Sequence, residues 1–442
     1  MVDKKKTEAP MAAATEPTTA NRTGTWRFEK PVFVEQIAPC SEACPVGEDI
    51  PAIMALDESG AFEEAYQRIL LENPFPGICG RLCFHPCEKV CNRRRFDQAV
   101  SIRDLEYFVS KTARESKFEI DKPKKMRAAK AAVFGSGPAG LSCAYFLARS
   151  GYRTTILEMN SQLRIYKLLH SEPKVSLTQL EWEIGQLLSL DIDLRLNVGS
   201  QHGIDPDLAN EFDAIYIPSE SWQICRSLLK ESNDKSQTNR VILSTGANRS
   251  QTIMLARFRE SNTKFVYPDV TGIKTDIDPP QKDGNLSKSF IREIASGKFA
   301  AMVIGLSLDA VDLKSVHQFV LGRLGALSME NYLQKGDSNT THKTGHVVRF
   351  SDLNTASFQK SNRIQPSQPD LFYSKRQAAR SARRCFKCGV CTFCYKCYNY
   401  CPDLSIYMDA KEKYRELDYS HCKGCGICAT ECPRAAIDWV KE

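Results

Sequence analysis

At 442 residues the chain has room for about three domains, and its 42% hydrophobic content is ordinary for globular cores. The net charge of +7 is mild; its densest cluster, Lys122, Lys124, Lys125, Arg127 and Lys130, reads as a solvated linker, with no broad basic face and interleaved aromatics to suggest nucleic acid. No apolar run approaches a membrane span, and the polar opening MVDKKKTEAP holds no hydrophobic signal segment, so a cytoplasmic protein without membrane insertion is expected.

Residues 1–30, rich in Thr, Ala, Lys and Pro without periodicity, read as a flexible tail. Residues 31–120 read as a small helical domain. Ile50, Ile53, Met54, Leu56, Phe62, Ala65, Ile69 and Leu70 fall at helical spacing, interrupted near Gly60. Of the 18 cysteines, six lie here between Cys40 and Cys91, ten lie between Cys385 and Cys432, and Cys143 and Cys225 stand apart. Such clustering marks cysteine as a ligand rather than a core residue.

Residues 125–310 open as a βαβ unit. A strand at Ala131–Phe134 leads into Gly135-Ser136-Gly137-Pro138-Ala139-Gly140, a helix over Pro138–Ser150, and a second strand, Thr154–Leu157, that ends at Glu158. The glycines let backbone approach a pyrophosphate, the helix N-terminus offers free N–H groups, and the acid can accept ribose hydroxyls. Gly135, Gly137, Ala139, Gly140 and Glu158 are therefore the candidate dinucleotide-binding residues. Residues 311–378 read as a connecting segment, polar from Asn331 to about Arg376.

Residues 379–442 carry Cys391-x2-Cys394-x2-Cys397-x3-Cys401-Pro402 and then Cys422-x2-Cys425-x2-Cys428-x3-Cys432-Pro433. This is the ligand run of a two-cluster ferredoxin, in which the fourth cysteine of each run serves the other cluster. One 4Fe-4S cubane then takes Cys391, Cys394, Cys397 and Cys432; the other takes Cys422, Cys425, Cys428 and Cys401. A zinc ribbon would use two Cys pairs separated by a longer spacer.

With these motifs in place the chain resembles the glutamate synthase small subunit and its relatives, including the N-terminal part of dihydropyrimidine dehydrogenase. The carrying residues are Cys40-x3-Cys44-Pro45-Val46-Gly47, Asn73-Pro74-Phe75-Pro76, Cys79-Gly80-Arg81-x-Cys83, His85-Pro86-Cys87-Glu88, Cys91-Asn92 and the dinucleotide turn. Glu293–Lys298 looks like the helix closing the relatives' FAD domain. With the ferredoxin added, the chain is most similar to electron-transfer subunits of 2-oxoacid oxidoreductases of the phenylglyoxylate dehydrogenase type. The implied architecture is multidomain α/β: an N-terminal helical iron–sulfur domain, a truncated FAD-binding Rossmann-like domain and a C-terminal two-cluster ferredoxin-like α+β domain.

The resemblance implies an N-terminal 4Fe-4S cluster on Cys44, Cys83, Cys87 and Glu106. A second N-terminal cluster would use Cys40 and Cys91 plus a Cys-x2-Cys upstream, yet no cysteine precedes Cys40. Cys79 could replace one ligand, or Cys385 and Cys388 could supply two from across the fold. Three clusters are thus expected, and four if that pair is used. The relatives' NAD(P) domain looks lost, because little chain separates Glu211–Ile217 from Val241–Gly246 and no second glycine-rich turn occurs. The flavin half of the site is eroded, with Asp269 surviving beside Pro268 where the relatives have Gly-Asp, so FAD binding and a retained fold without cofactor both stay open. The expected role is an electron-transfer subunit without catalytic residues of its own, joined to other subunits of an oxidoreductase and served by a ferredoxin. An architectural subunit and a flavin-dependent oxidoreductase are the alternatives.

Overall fold

The computed structural model describes residues 22–170, 172–198, 208, 211–217, 240–243, 254–257, 311–334, 345–366 and 373–442. Strand β1 (Glu29–Phe33) pairs antiparallel with the last strand of the chain, Ile437–Lys441. Just before it, the Gly24 N–H donates to the Ser420 carbonyl at 3.0 Å, and Arg27 reaches the carbonyls of Tyr419 and Cys422. Residues 22–30 therefore do not belong to the expected tail over 1–30, and the rest of that stretch lies outside the described residues. Residues 22–33 are strapped to the ferredoxin-like domain because β1 supplies the strand that pairs with Ile437–Lys441 in a two-stranded sheet, a non-local pairing that local composition does not reveal.

The N-terminal domain is a cluster of helices: α1 (Pro39–Glu42), α2 (Ile50–Ser59), α3 (Phe62–Ile69), α4 (Pro76–Leu82), α5 (Pro86–Lys89), α6 (Arg93–Phe96) and α7 (Ile102–Ser116). Asp49 caps α2 by accepting the Ala52 N–H at 3.4 Å, and Gly60 ends it in the left-handed region at φ 80°. Proline opens α1, α4 and α5, where its missing N–H costs nothing. Phe62 and Phe108 meet edge to face at 5.1 Å and tie α3 to α7.

Next come β2 (Lys130–Phe134), α8 (Pro138–Arg149), β3 (Arg153–Leu157), α9 (Arg164–Leu169), α10 (Leu177–Leu188), β4 (Asp193–Arg195), β5 (Ala214–Ile217), β6 (Arg240–Leu243) and β7 (Met254–Arg257). The six strands form one sheet in the order β4-β3-β2-β5-β6-β7, parallel except for β7. Ala131, Ala132, Val133 and Phe134 are all buried, the unbroken apolar run of a strand covered on both faces.

The segment read as a connection over 311–378 opens instead with a helix, Val311–Gln334, packed along α8. Its buried face carries Val316, Phe319, Val320, Ala326 and Met329. The Ser142 hydroxyl donates to the Phe319 carbonyl at 2.7 Å. Gly322 lies so close to α8 that a Cβ would overlap the Ala139 carbonyl oxygen. The proposed closing helix at 293–298, Asp269 and Cys225 lie outside the described residues.

After the helix Lys375–Arg383, the C-terminal domain holds β8 (Ile406–Asp409) and β9 (Tyr414–Leu417), which pair antiparallel, and β10 (Ile437–Lys441), which pairs with β1. One-turn helices follow at Lys396–Asn399 and Ile427–Thr430, at equivalent places in the two cysteine runs. Together these elements make the two halves of a ferredoxin-like unit.

Candidate iron–sulfur centres

Two cavities in the C-terminal domain are ringed by cysteines. One, with about 330 Å³ of empty space, is lined by Cys391, Cys394, Cys397 and Cys432 together with Phe33, Met408 and Ile437. The other, about 310 Å³, is lined by Cys401, Cys422, Cys425 and Cys428 with Ile406 and Leu417. Each fourth cysteine faces the cavity of the opposite run, the exchange expected from the spacing. Among the described residues no three His, Cys, Asp or Glu side chains converge as single-ion ligands do; here the thiols stand around a void.

The backbone shows how sequence makes these rings. Left-handed residues recur at matched places: Phe393 and Gly424 two residues after the first cysteine, Tyr395 and Gly426 two further on, Leu404 and Ala435 three after the last. Glycine takes this conformation freely, whereas Phe393, Tyr395, Leu404 and Ala435 adopt it at a cost that surrounding structure must offset. The turns aim the thiols inward and free N–H groups for sulfur. The Ser405 N–H donates to Cys401 Sγ at 3.3 Å, and the Ala436 N–H donates to Cys432 Sγ at 3.3 Å. Burial and neighbouring thiols push Cys397 and Cys428 up to about 12. Thiols held this way ionise together only when a cationic group balances them, so loading would release protons. The donor set and cavities fit two 4Fe-4S cubanes.

In the N-terminal domain, Cys83 and Cys87 flank the left-handed His85, whose N–H donates to Cys83 Sγ at 3.4 Å. Burial, then Glu48, Cys83 and Glu106, push the Cys44 thiol up. Burial followed by Cys44, Cys83, Cys40 and Glu106 does the same for Cys87. Cys44, Cys83, Cys87 and Glu106 thus share one locality. Glu106 is buried rather than solvated, and the Asn73 amide donates to Glu106 Oε1 at 2.8 Å and to Glu48 Oε1 at 2.9 Å. Glu48 and Asn73 were missed by spacing arguments. Their signal was their position, Glu48 directly after the Cys44-to-Gly47 motif and Asn73 at the head of Asn73–Pro76. Buried Cys79 faces Glu106, Cys83 and Glu48, so it stands with this group.

The dinucleotide turn is formed. Gly135 has φ 96°, and a Cβ on Gly140 would overlap the Gly135 carbonyl oxygen. Gly137 precedes α8, and Ala139 is buried in its first turn. The phosphate half therefore fits a dinucleotide. Glu158, however, is buried and engaged by the chain itself: the Ser136 N–H and hydroxyl donate to Oε2, and the Asn160 N–H and amide donate to Oε1 at 2.9 and 2.6 Å. Burial raises its pKa, but these hydrogen bonds outweigh burial and hold it below the usual value. The ribose acceptor expected from sequence is already occupied by protein donors.

Comparison with known proteins agrees with this division. Residues 35–118 match the dihydropyrimidine dehydrogenase domain II 4Fe-4S family, residues 133–167 an NAD(P)-binding Rossmann-like domain, and residues 415–438 a 4Fe-4S binding domain. The NADPH-Fe(3+) oxidoreductase subunit beta of Geobacter sulfurreducens is 32% identical over 41% of this chain and 28% of its own. The NADP(+)-dependent formate dehydrogenase subunit beta of Moorella thermoacetica is 30% identical over 41% and 29%. The glutamate synthase [NADPH] small chain of Mycobacterium tuberculosis is 33% identical over 40% and 37%. Each match spans well under half of the relative's length. The likeness is to iron–sulfur, NAD(P)-binding oxidoreductases and their electron-transfer subunits. No helix among the described residues is long and apolar enough to cross a membrane.

Proposed function

We propose that this chain relays single electrons as a subunit of a larger cytoplasmic oxidoreductase, between the N-terminal centre on Cys44, Cys83, Cys87 and Glu106 and the two ferredoxin-like centres. The observation that carries the reading is the pair of four-thiol cavities in one small domain. A 4Fe-4S cluster, when bound, exchanges one electron without breaking a bond. The residues around it fix separation, exclude water and donate N–H groups to sulfur, and by these means tune potential. Apolar Phe33, Ile406, Leu417 and Ile437 supply the exclusion, and Ser405 and Ala436 supply the donors.

The saturated Glu158 favours a Rossmann-like unit that serves as scaffold, with its pyridine-nucleotide domain lost and FAD outside the electron path. The partner would be a catalytic subunit of 2-oxoacid oxidoreductase type, with a soluble ferredoxin as donor or acceptor. Iron and flavin per chain on anaerobically purified protein, followed by spectroscopy of the clusters during turnover of the intact complex, test this. Clusters that are reduced and reoxidised in step with substrate support the relay. Clusters that never change state would leave an architectural subunit, and stoichiometric flavin reduced by substrate would restore a flavin enzyme.

A further inference from the structure

The pair Cys385 and Cys388 precedes the two ferredoxin runs and belongs to neither cavity. Its loop nevertheless has the backbone of a cluster loop. Lys387, two residues after Cys385, is left-handed at φ 53°, and Gly389 follows at φ 76°, the same alternation as Phe393 and Tyr395 or Gly424 and Gly426. The Lys387 N–H donates to Cys385 Sγ at 3.3 Å, as the His85 N–H does to Cys83. A left-handed lysine in an ordinary loop is a cost without a return.

This loop is pressed against the N-terminal domain. The Gln36 N–H donates to the Gly389 carbonyl at 3.0 Å, and Arg93 Nη1 donates to the Arg384 carbonyl at 3.1 Å. The Asn92 amide, next to Cys91, lies 3.5 Å from Cys388 Sγ and donates to the Val348 carbonyl at 3.0 Å. Cys40 and Cys388 are buried, and the thiol of Cys40 is pushed up first by burial and then by Cys91, Cys385 and Cys388. All four cysteines are free thiols.

We infer that Cys40, Cys91, Cys385 and Cys388 hold a fourth 4Fe-4S cluster at the seam between the N-terminal and ferredoxin-like domains, with Asn92 donating to its Cys388 ligand. The site needs both domains, since neither contributes more than two of the four thiols. It also occupies the gap in the relay proposed above, on which its electron-carrying role rests. Cys40 lies beside Cys87 of the N-terminal centre, and Cys388 stands three residues before Cys391 of the first ferredoxin-like centre. Electrons would then pass N-terminal centre, seam centre, ferredoxin-like pair.

Iron counting on the full chain, purified anaerobically, tests the site independently of the relay. Wild type should hold about sixteen irons, at four per cluster, and both the Cys385→Ser/Cys388→Ser variant and Cys40→Ser should hold about twelve. Cys143→Ser, a buried thiol outside every centre, should keep the wild-type count. A double variant with undiminished iron, or a wild type with only about twelve, would overturn the seam site while leaving the relay intact. A full count with clusters idle in turnover would instead sink the relay and keep the site. If the serine variants lose all iron through misfolding, Asn92→Ala decides: a changed midpoint potential for one cluster with iron unchanged supports the assignment, and only three cluster potentials, none of them changed, overturn it.

Discussion

Glu158 Oε2 accepts both the N–H and the hydroxyl of Ser136, 22 residues earlier, and so closes the mouth of the glycine turn with the chain's own donors. A carboxylate kept for a ribose would lose little fold stability when replaced. One that anchors the turn loses a great deal, because the buried Ser136 donors are left without an acceptor. Glu158→Ala should therefore cost about 2–3 kcal/mol of stability by denaturant titration, with iron per chain unchanged. A variant as stable as wild type would return Glu158 to cofactor binding.

Asp97 stands at the crossing of three segments. It accepts from Arg93 Nε at 2.7 Å, Arg384 Nη2 at 3.0 Å and the Ser361 N–H at 2.9 Å. Burial opposes its charge, but the Arg93 and backbone hydrogen bonds win and lower it to about 2. Because its pKa is depressed in the fold, its contribution is present above the unfolded value near 4 and is lost as pH falls toward 2. Asp97→Ala leaves two buried guanidinium groups without their carboxylate and should cost about 3–5 kcal/mol at pH 7. Asp97→Asn, which keeps an acceptor, should cost less. Equal melting curves for all three proteins would deny Asp97 this role.

Much of this was legible because metal-binding loops write their geometry into spacing. The x2-x2 intervals turn three thiols of a run toward one void and the x3 step carries the fourth to the other, which is why the grouping of the eight cysteines around two cavities is legible in the spacing. The βαβ turn was legible for the same reason: Gly135 turns at φ 96° and Gly140 sits where a Cβ cannot. What spacing could not carry was long-range pairing. Nothing local to Glu29–Phe33 announces β10 as its partner, and the apolar positions of Val311–Gln334 are diluted by polar neighbours until α8 is there to receive them. Glu158 shows the same limit. Its position fits the motif, but the donors that satisfy it, Ser136 and Asn160, are unremarkable in sequence.

Gly322 offers a test of that helix. A Cβ there would meet the Ala139 carbonyl oxygen, Ser142 Cβ and the Cys143 nitrogen of α8, atoms that cannot rotate away. Gly322→Ala adds one methyl group, and a helix position ordinarily favours alanine by about 1 kcal/mol. Here the overlap should outweigh propensity and cost about 1–3 kcal/mol. Faster proteolysis between the Rossmann-like unit and the ferredoxin-like domain should accompany the loss. A stabilised variant would mean that the helix does not rest on α8.

Asp57 carries the clearest pH dependence. It is fully buried in α2, on the helix that packs against Lys375–Arg383, and neither carboxylate oxygen has a hydrogen-bond partner. Burial raises its pKa well above the ordinary value, so the fold favours the protonated carboxyl more than the unfolded chain does. A raised carboxyl contributes fully below its unfolded pKa and progressively less as pH rises toward its folded pKa. Across that window wild type should lose up to about 1.4 kcal/mol per pH unit relative to Asp57→Asn, which cannot ionise. Denaturant titrations of both proteins at pH 6 and pH 8 measure the difference directly. The gap should widen in favour of the asparagine variant at pH 8, and a gap independent of pH would mean that Asp57 is charged in the fold and has found a cation.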